Sequence, residues 1–229
     1  MKSIKCLITG ASTGIGRSTA IQLSKISEHI YIVARNVTEL EVVHDNIIEN
    51  DCKCTIVPLD LSEINGIENL SNEISKKEGY LDLLLLSAGK IANLSPVESI
   101  NLSDLKNVIE LNFISNFRLI KNFHSLLKNS KDPQLVLISS AKDEHKKNYW
   151  GVYQPVMSAL NELVITYANE NRHLNIKANI LCPDSVDTKL RDHVMPGEDK
   201  SSIKSPTDAA KEIINFICNT KTTGKIIKF

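Results

Sequence analysis

Seven short apolar runs recur along the whole chain and constrain its fold more than any other feature. Each is rich in Val, Ile and Leu and is nearly continuous rather than alternating; they span residues 5–8, 30–34, 55–59, 81–86, 134–138, 177–181 and 225–227. Continuous runs of this length are typical of strands whose two faces are both covered, as in a parallel sheet.

The segments between these runs carry apolar residues at spacings of three and four. Ile15, Thr19 and Leu23 form one such series, and residues 105–120 and 159–167 contain two more. Strands alternating with about six helices predict an α/β fold of the Rossmann-like, doubly wound type, with seven parallel strands. No linker or repeat divides residues 1–229, so we predict a single domain. Only residues 187–205 look unstructured, and a loop of that length predicts a lid over a substrate site.

Composition removes several classes of function. The 229 residues include 27 basic and 27 acidic side chains, so there is no basic excess for nucleic acid. No apolar run reaches the roughly 18–20 residues that a membrane span needs. Five scattered cysteines indicate a reduced, cytoplasmic protein. Cys52 and Cys54 lack further ligands at metal-binding spacing, so we predict no metal site.

A glycine-rich turn follows the first predicted strand. Its sequence is Thr9-Gly10-Ala11-Ser12-Thr13-Gly14-Ile15-Gly16, and a helical pattern begins at once. Glycines there permit a tight turn and a close approach of a diphosphate, while the new helix offers free N–H groups and a positive dipole end. Because the turn lies at the first strand–helix junction, it predicts a dinucleotide site rather than an ordinary glycine turn.

The ends of the second and third predicted strands indicate which dinucleotide binds. Ala34 stands where an acidic residue would hold the ribose of NAD, and Arg35 follows it. An arginine can hold the 2′-phosphate of NADP through charged hydrogen bonds, so NADP(H) is favoured and NAD(H) stays possible. Asp60 ends the third run, where its carboxylate can accept from the adenine amino group or cap the next helix.

The spacing Gly10-x3-Gly14-x-Gly16 resembles that of the short-chain dehydrogenase/reductase family, and the resemblance covers essentially the whole chain. The other matching positions are Asp60-Leu61, Ser87-Ala88-Gly89 where Asn-Ala-Gly is usual, Asn112 in mid-helix, Ser140 with Tyr153 thirteen residues later, and Pro183, Val186 and Thr188 after the sixth strand.

This resemblance implies the site residues and their roles. The implied cofactor-binding residues are Gly10, Ser12, Thr13, Gly14, Ile15, Gly16, Arg35, Asp60, Leu61, Ser87, Ala88, Gly89, Tyr153, Pro183, Val186 and Thr188. The implied catalytic residues are Tyr153, which exchanges a proton with the substrate oxygen, Ser140, which orients that oxygen, and Asn112, which bonds a water. The family also implies a homodimer or homotetramer, paired through helices within 105–127 and 159–167 and through the last strand and helix.

One departure from the family pattern replaces a charged residue of the implied active site with an uncharged one. Four residues after Tyr153, where the family has a lysine that lowers the phenol pKa and holds the nicotinamide ribose, this chain has Met157. A thioether carries no charge and cannot do either. Leu86, Asp184 and the pair Asp143-Glu144 depart as well. Lys90, Lys142, Lys146 and Lys147 are the candidates to supply a cation from another direction.

Three functions fit this pattern. The first is an NADP(H)-dependent oxidoreductase that reduces a small carbonyl substrate with Tyr153 as proton donor. A neutral phenol already suits reduction, whereas oxidation wants a phenolate. The second is a catalytically impaired NADP(H)-binding sensor or subunit. The third is a lyase or isomerase that uses Tyr153 with Asp143, Glu144 or Asp184 as acid and base.

Overall fold

The structure, a computed structural model, describes residues 4–140 and 148–229 and contains one seven-stranded sheet. Its strands are β1 (Ile4–Thr9), β2 (Ser27–Ala34), β3 (Lys53–Pro58), β4 (Leu83–Leu86), β5 (Gln134–Ile138), β6 (Lys177–Cys182) and β7 (Ile226–Lys228). The strand order is β3-β2-β1-β4-β5-β6-β7, and every neighbouring pair is parallel. The predicted Rossmann-like, single-domain α/β fold is thereby confirmed.

Eight α-helices lie between and after the strands in the described part of the chain. They are α1 (Gly14–Leu23), α2 (Val37–Ile48), α3 (Gly66–Glu78), α4 (Leu102–Val108), α5 (Ser115–Lys128), α6 (Tyr153–Glu170), α7 (Lys189–Val194) and α8 (Pro206–Asn219). A π-helical segment, Ile109–Ile114, joins α4 to α5, so that residues 102–128 form one helical run.

Two apolar layers cover the two faces of the sheet, which explains why the central strands are largely apolar. Alternate strand residues such as Leu7 and Val33 pack toward α3, α5 and α6. Their neighbours Ile8 and Ile32 pack toward α1, α2 and α8. Because both faces of the central strands are buried, those strands lack the alternation of a half-exposed sheet.

The predicted elements differ from the observed ones in two respects. Strand ends shift by one to three residues, and there are more helices than the expected six because the α4–α5 run is interrupted and residues 187–205 are partly helical. The expectation that this segment is unstructured is wrong. Thr188 caps α7 by accepting from the backbone N–H of Arg191 at 3.3 Å, and a 3₁₀ turn covers Lys200–Ser202.

The strand order places a crevice at the carboxyl ends of β1 and β4. The chain runs from β1 outward to β3 and then returns to β4 on the other side of β1, so the two loops after these strands diverge. Open α/β sheets bind ligands at such switch points. No helix in the described ranges is long and apolar enough to cross a membrane.

Candidate functional site

A cleft of about 1200 Å³ lies at this switch point. Its lining includes every residue predicted to bind the cofactor, together with Ser140 and Met157. Asn112 and Lys90 are described by the structure but do not line the cleft. The fold therefore brings residues from six separate loops, spread over nearly the whole sequence, to one surface.

The glycine turn is built so tightly that two of its glycines have no room for a side chain. Gly10 has φ +66°, and a Cβ there would lie 2.8 Å from the backbone of Ala88. A Cβ on Gly16 would lie 2.3 Å from the carbonyl oxygen of Gly10. The turn thus packs directly against the loop after β4 and leaves its backbone open to the cleft.

Thr9 fixes that packing, and sequence reasoning gave it no role of its own. Its buried Oγ1 accepts hydrogen bonds from the backbone N–H groups of Ser87 at 3.1 Å and Ala88 at 3.2 Å. The Thr-Gly pair at the end of β1 was the available signal, because a hydroxyl just before a tight turn can reach neighbouring backbone donors.

The amino end of α1 faces the cleft without a side-chain cap. Thr13 is its N-cap residue, but the Thr13 side chain makes no capping hydrogen bond, unlike Asn36 on α2 and Ser205 on α8. Uncapped N–H groups and the positive end of the helix dipole make this position suited to an anion. The cleft therefore fits a diphosphate at this end.

We expect Gly16→Ala to destabilise the protein, although alanine normally favours helix over glycine. The new methyl group would meet the Gly10 carbonyl at 2.3 Å, and backbone must move to admit it. We expect a loss of about 1–3 kcal/mol in the free energy of unfolding, measured by urea denaturation. Gly89→Ala is the control, because its Cβ would meet Asn112 at an ordinary 3.7 Å. Equal midpoints for the two variants would contradict this prediction.

Arg35 and Asp60 form the other end of the cleft. The Arg35 guanidinium lies 3.7 Å from an Asp60 carboxylate oxygen, and its side chain is 75% exposed. Asp60 does not cap α3; its other oxygen accepts from the Ser62 N–H and hydroxyl at 3.0 and 2.6 Å. Those bonds, with the charges of Arg35 and Lys90, hold the Asp60 pKa below its usual range. Asp60 is thus ionised near neutral pH, and Arg35 remains free to meet a second anion.

Ser140 and Tyr153 stand at the opposite end. The Ser140 Oγ is buried and has no hydrogen-bond partner among the described residues. Buried hydroxyls are usually paired, so this one, which lines the cleft, is suited to donate a hydrogen bond to a bound group. Burial raises the pKa of Tyr153 to about 12, with a smaller contribution from Cys182. No cation in the described ranges opposes that rise.

Met157 fills the space one turn along α6 from Tyr153. It is 5% exposed and packs in the layer formed with α3 and α5. The Asn112 Nδ2 points at its sulfur at 3.7 Å and also donates to the carbonyl of Lys90 at 2.9 Å, while Asn112 Oδ1 accepts from the Lys90 N–H at 2.9 Å. The side chain of Asn112, which is 1% exposed, therefore holds the loop after β4 by bonding the backbone of Lys90.

Four lysines are candidates to supply the positive charge that the family's lysine would place near Tyr153, and the structure describes only one of them. The Lys90 charge acts on Asp60, at the opposite end of the cleft from Tyr153, and does not contribute to the Tyr153 pKa. Lys142, Lys146 and Lys147, with the departures Asp143 and Glu144, lie outside the described residues. Asp184 lines the cleft, and its backbone N–H donates to Phe229 at 2.7 Å.

The segment 187–205 contributes part of the cleft wall. Lys189, Leu190, Arg191, Val194, Glu198, Ser202, Ile203 and Lys204 line it. Arg191 and Glu198 form an ion pair inside the segment. Two backbone hydrogen bonds join the two ends of the segment. The Asp187 N–H donates to the Lys204 carbonyl at 2.9 Å, and the Lys204 N–H donates to the Ser185 carbonyl at 3.0 Å. Sequence reasoning missed this internal order because the pairs are polar and not periodic.

Comparison with curated proteins gives relatives along most of the chain. A family model described as short chain dehydrogenase matches residues 5–199. An uncharacterized oxidoreductase, YciK of Escherichia coli, is 26% identical over 205 residues, which are 88% of this chain and 81% of that protein. A fatty acyl-CoA reductase of Acinetobacter baylyi is 32% identical over 141 residues, 61% of this chain, and the chain covers only 48% of its length.

Solved structures share the fold over nearly the whole chain. An alcohol dehydrogenase from Thermococcus sibiricus, complexed with 5-hydroxy-NADP, has TM-score 0.88 and 25% identity, covering 99% of this chain and 96% of that one. A short chain dehydrogenase from Shigella flexneri, complexed with NADP, has TM-score 0.91 and 24% identity, covering 100% and 97%.

Proposed function

Because the chain belongs to the short-chain dehydrogenase/reductase family, we propose that it is an NADP(H)-dependent oxidoreductase that reduces a small carbonyl substrate. The observation that carries this proposal is the orphaned, buried Ser140 hydroxyl in the cleft that Tyr153 also lines. A carbonyl oxygen is the acceptor that two neutral hydroxyl donors can bind together.

The adenine half of the cofactor is assigned to the glycine turn, Arg35 and Asp60. The free N–H groups at the start of α1 hold the diphosphate, and Arg35 pairs with the 2′-phosphate. Thr13, Leu61, Ser87, Pro183, Val186 and Thr188 line the remainder of that path. The NADP complexes of two structural neighbours support this choice.

When bound, the reduced nicotinamide supplies a hydride to the substrate carbon. The chain's own residues do the rest. Ser140 donates a hydrogen bond to the substrate oxygen and orients it, and Tyr153 transfers its phenolic proton to that oxygen as the negative charge develops. Water then returns a proton to the phenolate, so that each cycle consumes one proton from solvent.

The protonation state of Tyr153 sets the direction of the reaction. With its pKa raised to about 12, the phenol is protonated throughout the neutral range and is the acid that reduction needs. The phenolate that alcohol oxidation needs is only about 1 part in 100,000 at pH 7. We therefore propose that reduction is much faster than oxidation, and that the reduction rate shows no tyrosine titration below pH 9.

We expect Arg35→Ala to weaken NADPH binding about 10–100-fold, because a charged hydrogen bond to the 2′-phosphate is lost. NADH, which has no such phosphate, serves as the internal control, and its affinity should change less than about threefold. Fluorescence titration of both reduced nucleotides measures the ratio. Equal weakening for NADPH and NADH would exclude Arg35 as the 2′-phosphate ligand.

A second candidate function is supported by one observation, the close packing of Met157 against Asn112. Met157 occupies the position at which the family has a lysine. That lysine would bind the nicotinamide ribose and stabilise the phenolate form of the tyrosine. A chain of this kind can serve as an NADP(H)-binding sensor or subunit without turnover. NADPH binding without consumption, over a broad panel of aldehydes and ketones, is the result that would favour this alternative.

We also propose a lid role for residues 187–205 and a homodimer or homotetramer. Several residues of this segment line the same cleft as Tyr153. Phe117, within the helix 105–127 that pairs subunits in the family, is exposed, and β7 is an edge strand. Apolar helix faces and sheet edges are the surfaces that association covers. Light scattering of the purified protein measures the oligomeric state.

A further inference from the structure

Asn161 is a buried amide on α6, the helix that Tyr153 begins. Tyr153, Met157 and Asn161 follow one another at a spacing of four residues, so they lie along one face of the helix. Asn161 is only 1% exposed, and other buried residues of the helix, such as Leu160 and Val164, are apolar. A buried amide lowers stability unless its polar atoms are hydrogen-bonded. No step of the proposed reduction uses Asn161.

Both polar atoms of the Asn161 side chain bond the two residues that follow β5. The Oδ1 atom accepts from the Ser139 hydroxyl at 2.6 Å, and the Nδ2 atom donates to the Ser140 carbonyl at 3.4 Å. β6 holds the same segment as well, because the Ser139 N–H donates to the Leu181 carbonyl at 2.9 Å. The backbone that carries Ser140 is therefore fixed by α6 and by β6.

These contacts leave the Ser140 hydroxyl available to a ligand. Its Oγ is buried and has no partner among the described residues, and Ser140 lines the same cleft as Tyr153. Asn161 thus bonds the carbonyl of Ser140 and the side chain of Ser139, but not the hydroxyl that the proposed reaction uses. Because Asn161 and Tyr153 belong to one helix, the two bonds set where Ser140 lies relative to the phenol.

We propose that Asn161 is a positioning residue of the reduction. It does not line the cleft and acts through the two serines, by holding the Ser140 hydroxyl where it and the Tyr153 phenol can donate to one carbonyl oxygen. Rates depend strongly on such placement, since a shift of about 1 Å in a positioned group can cost about 100-fold. This inference rests on the proposed reductase function and adds a residue to its machinery.

The test replaces Asn161 by leucine, which is close to asparagine in size and has no polar side-chain atoms. The probe is the member of a panel of aldehydes and ketones, beginning with 4-nitrobenzaldehyde, that the wild-type protein reduces fastest with NADPH. Asn161→Leu should lower kcat for this carbonyl by about 10–100-fold. The KM for the carbonyl and the NADPH affinity should change far less, because the displaced hydroxyl acts mainly in the transition state.

Asn179→Leu is the matched control. Asn179 is also 1% exposed, and its side chain also makes two bonds to backbone, donating to the Thr222 carbonyl at 2.7 Å and accepting from the Lys225 N–H at 3.1 Å. These bonds join β6 to the segment before β7 and do not involve Ser140. Both leucine variants should lower the melting temperature, because each loses buried hydrogen bonds. Only Asn161→Leu should lower kcat.

Ser139→Ala is a milder variant that decides the question if Asn161→Leu does not fold. It removes one of the two bonds and should lower kcat by about 3–10-fold. An unchanged kcat in Asn161→Leu or Ser139→Ala, or equal losses of kcat in Asn161→Leu and Asn179→Leu, would overturn this inference alone. If the wild-type protein consumes no NADPH with any member of the panel, the proposed function fails and the inference falls with it.

Discussion

Tyr153→Phe is expected to lower kcat/KM for carbonyl reduction by about 10²–10⁴-fold, the usual contribution of a positioned general acid. The phenol is the proton donor, and its raised pKa of about 12 keeps it protonated at every neutral pH. The loss should appear in kcat, because the hydroxyl acts on the oxygen as charge develops rather than on the bound ground state. NADPH affinity should fall far less than kcat/KM, because the phenylalanine ring keeps the packing of the tyrosine and only the hydroxyl is lost.

Tyr167→Phe is the matched control for this variant. It removes another tyrosine hydroxyl from the same helix, one that lies 3.0 Å from the His124 Nδ1 and far along the helix from the cleft. The control should retain the reduction rate even if its melting temperature falls. A Tyr153→Phe protein that reduces carbonyls at the wild-type rate would remove Tyr153 from the mechanism.

Met157→Lys is expected to raise the rate of alcohol oxidation at pH 8 by about 100-fold while changing reduction far less. An ammonium group one helical turn from Tyr153 stabilises the phenolate and lowers the phenol pKa by about 2 units. Oxidation, which needs the phenolate as base, should therefore gain, and its pH profile should move to lower pH. Oxidation of a secondary alcohol with NADP⁺, measured from pH 6 to pH 10, gives the profile.

The control is Met157→Gln, which has similar length and no charge. Either substitution disturbs a buried side chain that packs in the core and touches Asn112, so both should lower the melting temperature. Only the lysine variant should shift the pH profile. A shift in both variants would mean that loosened packing, not charge, changes Tyr153; no shift in either would mean that residue 157 does not act on the phenol.

The sheet could be predicted from the sequence because both of its faces are buried. Continuous runs such as residues 81–86 are typical of strands that are buried on both faces. Their alternate residues divide between two apolar layers in the structure. The glycine turn was equally clear, since the Gly10 and Gly16 backbones are packed too closely for any side chain.

The features that could not be predicted from the sequence depend on contacts between residues that are distant in the chain. α7 is short and polar, so it has no apolar period and depends on the Thr188 cap. Tyr149 has a left-handed backbone, which its residue type does not predict. The spacing exposed Met157 as a departure, but only the structure shows that Asn112 is committed to Met157 and Lys90. The roles of Ser140, Tyr153 and the cofactor residues stay predictions.

The central claim is that this cleft binds NADP(H) with the nicotinamide ring near Tyr153. Titration calorimetry of the purified protein with NADPH and with NADH tests it most directly. We expect saturable 1:1 binding of NADPH in the micromolar range. NADH should bind at least about tenfold more weakly, because it lacks the 2′-phosphate that Arg35 would hold. No measurable heat with either nucleotide would contradict it.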